Sequence, residues 1–264
     1  MSGPSGRGVV RRARPALGTL VELGALVPGS MEDAAAQRRA EAALAGAWRT
    51  LAEVERALSR FIPASDVGRF NDAPAGAEIA LGGHAAAVLR AAAALARSSG
   101  GLLDVTLGTG GSAAWSLLER AGAALLVKRS SEVRLDLGGI GKGYAVDRAY
   151  HALRRVLGPD GACWVNAGGD LRVRGVELPV DLRDEERGGA RPFLRLREGA
   201  LATSHFGPAA RARLAGAGPA AARHVTVLSP RCLWSDALTK VVALSGRADH
   251  PLVARHGAVA WLHP

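Results

Sequence analysis

The stretch LDLGGIGKGYAVDRAYHAL (Leu135–Leu153) passes from an alternating segment into a loop with four glycines and one lysine, and then into a helical pattern. Polar and apolar side chains alternate over residues 132–137, which predicts a half-buried strand. Apolar side chains recur at helical spacing over Ala145–Leu157, and this helix is predicted to stop at Gly158. When a strand, a glycine loop and a helix follow one another in this order, backbone N–H groups and the helix dipole point to one place. Such a place favours the binding of an anion.

The glycine loop departs from two well-known phosphate-binding motifs. A Walker A loop requires a glycine where Asp136 stands and a Ser or Thr after Lys142, whereas Gly143 follows that lysine here. Residues 139–141 begin a dinucleotide fingerprint, but Tyr144 occupies the position of its third glycine. The loop alone therefore leaves two interpretations equally open, a phosphate site and a tight strand-to-helix turn.

The composition is that of an ordinary globular protein, with 264 residues of which 48% are hydrophobic and 22% charged. This length allows one large domain or two modest ones. The formal charge of +10 indicates an anionic partner or a generally basic surface. The arginines are spread along the chain, and no arginine-rich block is interleaved with aromatic residues, so we expect no nucleic acid partner.

The cysteines and the beginning of the sequence bear on the cellular compartment. Cys163 and Cys232 lie in apolar runs, which predicts buried thiols and no disulfide or metal framework. The first residues show no signal-peptide pattern and no lipidation cysteine. No apolar run approaches the roughly 20 residues of a membrane helix. We therefore expect a cytoplasmic protein without a membrane partner.

The rest of the chain predicts strands mixed with crossing helices, which is the pattern of an α+β or mixed α/β fold, with no internal repeat. Residues 1–16 are predicted to be a disordered basic tail, and Arg60–Gly76 a long loop rich in Pro, Asp, Asn and Gly. The predicted helices are Met31–Ser59, His84–Arg97, Ala145–Leu157 and Asp236–Leu244, and the predicted strands are Leu17–Val27, residues 132–137, Ala162–Val165, Leu171–Gly175, Pro179–Asp184, Phe193–Ser204, His224–Ser229 and Ala258–Leu262.

A second glycine turn, in VNAGGDLRVRG (Val165–Gly175), joins two of the predicted strands. Its Asn166 and Asp170 can hydrogen-bond to a ligand from this turn. The capping of a hairpin turn by Asn and Asp is the commoner use of these residues, and it stays open as the alternative. Together with the loop of residues 138–143, this turn favours a polar ligand site.

A charged pair interrupts an otherwise apolar helix, LWSDALTKVVAL (residues 233–244). Asp236, Thr239 and Lys240 fall on one face of this helix, at i, i+3 and i+4. A surface ion pair between Asp236 and Lys240 is the simpler interpretation. Both flanks are apolar, however, so the pair enters a mostly buried helix, and buried charge of this kind is typical of a functional site.

Residues 136–147, DLGGIGKGYAVD, resemble the central motif of the ApbE family, the FAD:protein FMN transferases, with Gly141 where the family usually has alanine. Six further segments resemble family motifs in the family's order, so that the resemblance spans about Leu17 to Gly246. These segments are Leu17–Thr19, Leu58–Asn71, Gly100–Gly108, Val165–Gly175, Leu201–Ser204 and Ser235–Lys240.

The resemblance implies an α+β flavin-binding fold related to the T-fold, with mixed or antiparallel sheets and packed helices. It implies a single domain over residues 17–264, with two intertwined α/β lobes as the alternative. The family binds FAD, holds a divalent metal such as magnesium at the diphosphate, and transfers FMN to a Ser or Thr hydroxyl of an acceptor flavoprotein, releasing AMP. Two alternatives stay open, an FAD-binding carrier without transferase activity and an FAD hydrolase that yields FMN and AMP.

The resemblance also implies which residues form the site. Backbone donors of the glycine loop and the charge of Lys142 would hold the phosphates, and Phe61 would face the adenine. The residues implied to bind the cofactor are Phe61, Asp104, Gly138, Gly139, Gly141, Lys142, Asp147, Asn166, Asp170, Thr203 and Ser204. The implied catalytic residues are Asp236, Lys240 and His224, and the implied metal ligands are Gly141, Asp236 and Thr239.

The chain departs from the family's pattern at the catalytic end. Lys240 stands where the family's metal-binding helix carries threonine. The family's His-Ile-x-Asp-Pro-x-Thr-Gly loop is missing, which leaves His224 as the candidate for its histidine, and His205-Phe206-Gly207 replaces the usual Gly-x-Tyr. We expect Lys240 to take the place of the metal, with a metal displaced onto Thr239 as the alternative, and we expect weak catalysis.

Overall fold

The computed structural model describes residues 7–28, 34–183, 188–206 and 224–263, and all structural statements here concern these residues. The strands are β1 (Arg7–Ala16), β2 (Thr19–Pro28), β3 (Glu78–Ala80), β4 (Trp115–Arg120), β5 (Ala123–Lys128), β6 (Cys163–Ala167), β7 (Asp170–Arg183), β8 (Ala190–His205), β9 (His224–Ser229) and β10 (Val259–His263). The α-helices are α1 (Ala34–Leu58), α2 (Asp66–Asp72), α3 (Gly83–Ser98), α4 (Gly141–Leu157), α5 (Cys232–Ser245) and α6 (Pro251–Arg255).

The strands form two antiparallel sheets. The larger sheet has seven strands in the order β1-β2-β6-β7-β8-β9-β10, and the smaller one has three in the order β3-β5-β4. Every neighbouring pair in both sheets runs antiparallel. The predicted α+β class with antiparallel sheets and packed helices is therefore confirmed.

The main core lies between the larger sheet and three helices, α1, α4 and α5, in which α4 contacts both α1 and α5 and each helix contacts the strands. Along α1, the buried residues Leu44, Trp48, Leu51 and Val54 recur at helical spacing, as the sequence predicts. Each fully buried side chain of this kind contributes about 1.5–3 kcal/mol relative to its exposed state. No helix in the described part of the chain combines the length and apolarity needed to cross a membrane.

The predicted disordered tail is wrong from residue 7 onward, because residues 7–16 form β1 and pair with β2 along their whole length. Val10 is buried in the main core. Arg12 pairs with Glu41, and the guanidinium of Arg14 lies 3.9 Å from the Trp48 ring, so that both arginines contact α1. The basic residues of this segment therefore lie on an edge strand, where charged side chains discourage pairing with a further strand. Residues 1–6 lie outside the described residues.

The predicted strand over residues 132–137 is also wrong, although the segment is extended and its apolar side chains are buried. A side chain takes the role of a neighbouring strand. The Asn71 amide accepts the N–H of Leu135 at 2.7 Å and donates to the Leu135 carbonyl at 3.0 Å. The Asp136 N–H donates to the Val105 carbonyl at 2.8 Å. Periodicity thus predicted the burial correctly but could not identify the hydrogen-bonding partner.

Besides β1, five of the strands and α-helices were not predicted from the sequence, namely α2, β3, β4, β5 and α6. The predicted loop Arg60–Gly76 contains α2, whose start is capped by the Ser65 hydroxyl accepting the N–H of Gly68 at 2.8 Å. Residues 115–128, for which no element was predicted, form the β4–β5 hairpin. The other predicted helices and strands are confirmed with shifted ends, and α4 begins at Gly141 rather than at Ala145. The exception is β7, a single strand that contains Leu171–Gly175 and the described part of Pro179–Asp184, which were predicted as two strands.

Candidate functional site

A cleft of about 1260 Å³ is lined by the start of α4, the β6–β7 turn, and the ends of β8 and β9. It brings together segments that are far apart in the sequence. Ten of the predicted site residues line it, namely Phe61, Asp104, Gly138, Gly139, Lys142, Asn166, Thr203, Ser204, His224 and Lys240. The predicted residues Gly141, Asp147, Asp170, Asp236 and Thr239 do not line it.

Some backbone N–H groups of the glycine loop form hydrogen bonds to neighbouring residues of the chain, whereas another part of the loop faces the cleft. The N–H of Gly138 donates to Asp136 Oδ1 at 2.8 Å, and the N–H of Gly141 donates to the Leu137 carbonyl at 2.7 Å. Within the described residues, the N–H of Gly139 has no hydrogen-bond partner, and Gly139 lines the cleft. A Cβ on Gly139 would lie 3.3 Å from Cε of Lys240. The absence of a side chain at this position therefore leaves room for the lysine beside the loop.

Two lysine–aspartate ion pairs flank the loop. Lys142, in the first turn of α4, pairs with Asp170 at the start of β7. The Lys142 side chain is 34% exposed, whereas Asp170 is buried. Lys240 pairs with Asp236 one turn earlier on α5, and both side chains are buried. Both lysines line the same cleft, where their side chains can contact a bound ligand.

The ammonium group of Lys240 has further partners beyond its ion pair. It donates to the Ser204 hydroxyl at 3.2 Å and to the Asp236 carbonyl oxygen at 3.0 Å. The second carboxylate oxygen of Asp236 accepts the N–H of Gly143 at 3.0 Å. These contacts fix the lysine at the boundary between α5, β8 and the cleft.

Burial and neighbouring charges move the pKa values of the two aspartates in opposite directions. Burial, followed by the charge of Asp236, raises the pKa of Asp170 to about 6 against the pull of Lys142. Burial also acts to raise the pKa of Asp236, but the ammonium groups of Lys240 and Lys142 outweigh it and hold that pKa below its usual value. Burial acts to lower the pKa of the Lys142 ammonium, yet Asp170 and Asp236 raise it. Asp170 is therefore the carboxyl group of the two that titrates nearer to neutral pH.

Hydroxyl groups from β8 lie beside Lys240. The Ser204 and Thr239 hydroxyls are 2.8 Å apart, and the Thr203 and Thr226 hydroxyls are 2.9 Å apart. Ring nitrogen Nε2 of His263 lies 3.0 Å from the Thr226 hydroxyl. Thr203 and Ser204 line the cleft, so their hydroxyls add hydrogen-bonding capacity next to the two ammonium groups.

Two histidines form another part of the cleft wall. His224, the first residue of β9, stands opposite His205, the last residue of β8. Their rings stack with centroids 4.6 Å apart and planes at 17°. Both line the cleft, so the predicted site residue His224 lies where it can contact a ligand. Residues 207–223, which include Gly207 and the segment where the family loop is missing, lie outside the described residues.

Asp147 has a different role from the cofactor binding implied by the resemblance. Its buried carboxylate accepts the N–H groups of Cys232 at 2.9 Å and Leu233 at 3.1 Å, which are the first two residues of α5. It also pairs with Arg172. Asp147 therefore caps α5 from α4 and is fully engaged away from the cleft.

Asn166 and Asp104 line the cleft but also hold their own turns. The Asn166 side chain accepts the N–H of Gly169 at 3.2 Å, which is the hairpin-capping use left open by the sequence. The Asp104 carboxylate accepts the N–H of Thr106 at 2.8 Å and its hydroxyl at 2.7 Å. Both side chains are therefore oriented by local hydrogen bonds before any ligand binds.

Phe61 is an exposed aromatic residue at the cleft, with 78% of its surface accessible. The guanidinium of Arg60 lies 4.2 Å from its ring centroid. Arg60 also pairs with Asp136 of the glycine loop at 3.1 Å, and both of these residues line the cleft. Neither Arg60 nor Asp136 was predicted from the sequence as a site residue. Arg60 directly precedes Phe61, but no local pattern connects it to Asp136.

The implied metal ligands Gly141, Asp236 and Thr239 do not fit a divalent cation. Gly141, the first residue of α4, does not itself line the cleft, and both carboxylate oxygens of Asp236 are engaged, one by Lys240 and the other by Gly143. The hydroxyl of Thr239 donates to the Asp236 carbonyl oxygen at 2.7 Å. Across the described ranges, no group of three or more His, Cys, Asp or Glu residues is placed to hold a metal.

The model of the ApbE family matches residues 17–206. Three solved structures are similar in fold. An ApbE protein from Thermotoga maritima has a TM-score of 0.77 and 21% identity, covering 97% of this chain and 94% of its own. The flavin transferase ApbE from Vibrio cholerae has a TM-score of 0.78 and 19% identity, covering 97% and 93%. The flavinyl transferase ApbE from Pseudomonas stutzeri, in its apo form, has a TM-score of 0.76 and 18% identity, covering 98% and 92%. No curated protein matches the chain.

Proposed function

The chain belongs to the ApbE family, and we propose that it binds FAD in the cleft and transfers FMN to a Ser or Thr hydroxyl of an acceptor flavoprotein. One observation carries the proposal. Lys142 and Lys240 present two ammonium groups beside the unpaired N–H of Gly139, in one cleft of about 1260 Å³. Donors in this arrangement suit a diphosphate, and the volume exceeds the roughly 300–1,000 Å³ of a usual small-molecule pocket. An extended dinucleotide matches both features.

The arrangement suggests how FAD lies in the cleft. We place the diphosphate against Lys142, Lys240 and the Gly139 amide, at the start of α4, where the helix dipole favours negative charge. The adenine stacks on Phe61, whose exposed ring faces the cleft. The hydroxyl of Ser204, which already contacts Lys240, completes the set of donors around the phosphates.

The proposed reaction breaks the phosphoanhydride bond of FAD and forms a phosphoester bond to the acceptor. The hydroxyl oxygen of the acceptor forms a bond to the phosphorus of the FMN moiety. The bond between that phosphorus and the bridging oxygen breaks, and AMP leaves with the electron pair. The ammonium groups of Lys142 and Lys240 stabilise the negative charge that develops on the phosphate oxygens. Such a transfer depends chiefly on positioning and charge neutralisation.

The proton released by the acceptor hydroxyl needs a base in the cleft. We assign this role to His224, because it lines the cleft and imidazole is a side chain that can accept a proton near neutral pH. Asp236 and Asp170 do not line the cleft. They act as positioning residues, since each holds one of the two lysines.

Ligand binding tests the first half of the proposal. FAD at about 100 times its Kd adds about 2.7 kcal/mol to stability. For a chain of this length we expect the Tm to rise by roughly 5–10 °C. NAD and ATP at the same concentration serve as controls and should produce a smaller shift. A melting curve that FAD leaves unchanged would contradict the proposal.

Transfer is tested by incubating the protein with FAD and a Ser- or Thr-containing acceptor peptide. The expected products are a peptide heavier by one FMN group and an equal amount of AMP. Free FMN with AMP and an unmodified peptide would instead identify an FAD hydrolase. Bound FAD without any AMP would identify a carrier. These outcomes separate the three activities that the sequence leaves open.

Two finer expectations accompany the proposal. We propose a cytoplasmic location, supported by Cys163 and Cys232, which are both buried free thiols, as in proteins of reducing compartments. We also propose that the partners are FAD and an acceptor flavoprotein, and that the basic charge serves the diphosphate rather than a nucleic acid. Localisation of a tagged protein in cell fractions, and co-purification of flavinylated targets, would test these points.

A further inference from the structure

Lysine is rare in this chain, and two of its three lysines line the cleft. The sequence has 34 basic residues, of which all except Lys128, Lys142 and Lys240 are arginines. An arginine guanidinium is a wide planar fork, whereas a lysine ammonium is a compact point charge. Lysine at two positions of the cleft, in so arginine-rich a chain, indicates that a compact cation is needed there.

The Lys240 side chain is held in place by contacts with the surrounding protein. It belongs to a residue that is only 6% exposed, yet its end reaches the cleft. The Asp236 carboxylate, the Asp236 carbonyl and the Ser204 hydroxyl all accept hydrogen bonds from the ammonium. Its carbon chain passes Gly139, where even a Cβ would approach Cε to 3.3 Å. The side chain is therefore ordered before a ligand arrives, and its charge has one fixed position.

The same ammonium occupies the place that a metal would need on Asp236. One oxygen of that carboxylate contacts Lys240 and the other accepts the N–H of Gly143. A divalent ion on Asp236 would have to displace one of these contacts and lie next to a positive charge. Two cations at contact distance in a buried site repel strongly. The ammonium and a divalent metal therefore exclude each other at this position.

We propose that Lys240 is a permanent cation of the diphosphate site, so that this protein binds FAD without a divalent metal. The inference rests on the proposed function, since it identifies the ligand of the ammonium as the FAD diphosphate. Lys240 supplies one charge where a divalent metal would supply two, and Asp236 already balances that charge. The Lys240 ammonium still donates hydrogen bonds to the phosphates, but it neutralises the charge on the leaving AMP phosphate less completely than a divalent metal would. We therefore expect FMN transfer to be slow.

The first experiment measures FAD affinity by calorimetry for the wild-type protein, in Mg²⁺ and in EDTA. We expect the two Kd values to agree within about twofold, because no metal takes part in binding. A wild-type affinity that collapses in EDTA would overturn the inference but leave FAD binding intact. FAD that binds in neither buffer would instead overturn the proposed function, so the two failures are distinguishable.

The second experiment converts Lys240 into a potential metal ligand. Lys240→Thr removes the ammonium and frees one oxygen of Asp236 beside a new hydroxyl. We expect FAD binding by this variant to be at least about tenfold tighter in Mg²⁺ than in EDTA. Arg247→Thr is the matched control, since it removes a surface cation next to the end of α5 and should stay indifferent to Mg²⁺. A folded Lys240→Thr variant that also ignores Mg²⁺ would contradict the assignment.

A third measurement does not depend on any variant folding. Mn²⁺, which can replace Mg²⁺ at oxygen ligands, is titrated into the wild-type FAD complex and the free ion is followed by electron paramagnetic resonance. We expect every added equivalent to remain free up to about 100 μM, because FAD and Asp236 offer no joint site beside the ammonium. One tightly bound Mn²⁺ per FAD complex would refute the permanent-cation assignment.

Discussion

The two lysine–aspartate pairs of the cleft use the same two residue types in different ways. Lys142 and Asp170 come from different elements, α4 and β7, and the lysine is 34% exposed. Lys240 and Asp236 lie one turn apart on α5, and both are buried. The pKa of Asp170 is raised to about 6, whereas that of Asp236 is lowered. The comparison shows that the neighbours of a buried ion pair decide whether it is a fixed structural charge or a titratable one.

The largest expected effect comes from breaking the buried pair. Asp236→Asn leaves the Lys240 ammonium buried without its counter-charge, which costs about 3–5 kcal/mol of the free energy of unfolding. Asp170→Asn is the matched variant at the other pair. It should cost far less at pH 7, since the Asp170 carboxylate is itself disfavoured there and Lys142 can reach solvent. Urea unfolding at pH 7 measures both, and equal losses would erase the distinction between the pairs.

Two glycines of the loop are expected to have different roles, Gly143 in packing and Gly139 in ligand binding. A Cβ on Gly143 would lie 2.3 Å from the Cys232 carbonyl oxygen, which is backbone of α5 and cannot move aside easily. We therefore expect Gly143→Ala to lose about 1–3 kcal/mol of stability by overpacking. A Cβ on Gly139 would meet only the flexible end of Lys240, at 3.3 Å.

Gly139→Ala should accordingly keep nearly the wild-type Tm and lose FAD affinity, since the new methyl group pushes on Lys240, the proposed contact of the diphosphate. Thermal unfolding and calorimetry on the two alanine variants check this pair of expectations. A Gly139→Ala protein with normal affinity, or a Gly143→Ala protein with normal stability, would show that the loop has been assigned incorrectly.

Phe61→Ala provides a contrast to the two lysine–aspartate pairs, because Phe61 belongs to neither of them. Loss of stacking on a nucleobase costs about 1–3 kcal/mol, of which we expect the lower half here because Phe61 is 78% exposed. FAD affinity should fall roughly tenfold, while stability and the indifference to EDTA stay unchanged. Calorimetry with FMN in place of FAD provides the control, since a ligand without adenine should not sense the variant.

The smallest expected effect is a pH dependence of FAD affinity through Asp170. A bound diphosphate adds negative charge and raises the Asp170 pKa further above its value of about 6 in the free protein. Binding therefore takes up a proton, so affinity increases as pH falls from about 8 to about 6 and levels off below. A shift of half a unit to one unit gives about a three- to tenfold gain. In Asp170→Asn the pH dependence should be weaker over this window, and what remains belongs to other groups of the cleft such as His205 and His224.

The positions of the longer helices, and several of the residues that line the cleft, were predictable from local pattern. The apolar spacing of α1 and α4 and the turn of Val165–Gly175 each depend on residues close in sequence. The motif around Lys142 and the i, i+4 spacing of Asp236 and Lys240 are equally local, and the structure brings both lysines to one cleft.

What could not be predicted depends on contacts between distant segments. Asn71 replaces a strand next to Leu135, and Asp147 caps a helix that begins far along the chain. Gly143 is confined by a carbonyl of α5 rather than by its own φ, which is negative, so a glycine-rich motif alone cannot separate a binding residue from a packing residue. The charged side chains of β1 likewise depend on a distant element, because Arg12 and Arg14 find their partners on α1.

The contacts between α4 and α5 have a consequence for local opening of the protein. Asp147 of α4 holds the first amides of α5, and Asp236 of α5 holds the Gly143 amide of α4. Neither helix start can fray without releasing a buried carboxylate of the other, so the two should open as one cooperative unit. Hydrogen exchange at Gly143 and Cys232 should then proceed at one common rate. Because these helices carry Lys142 and Lys240, a ligand that bridges the two lysines would slow exchange at both helix starts together.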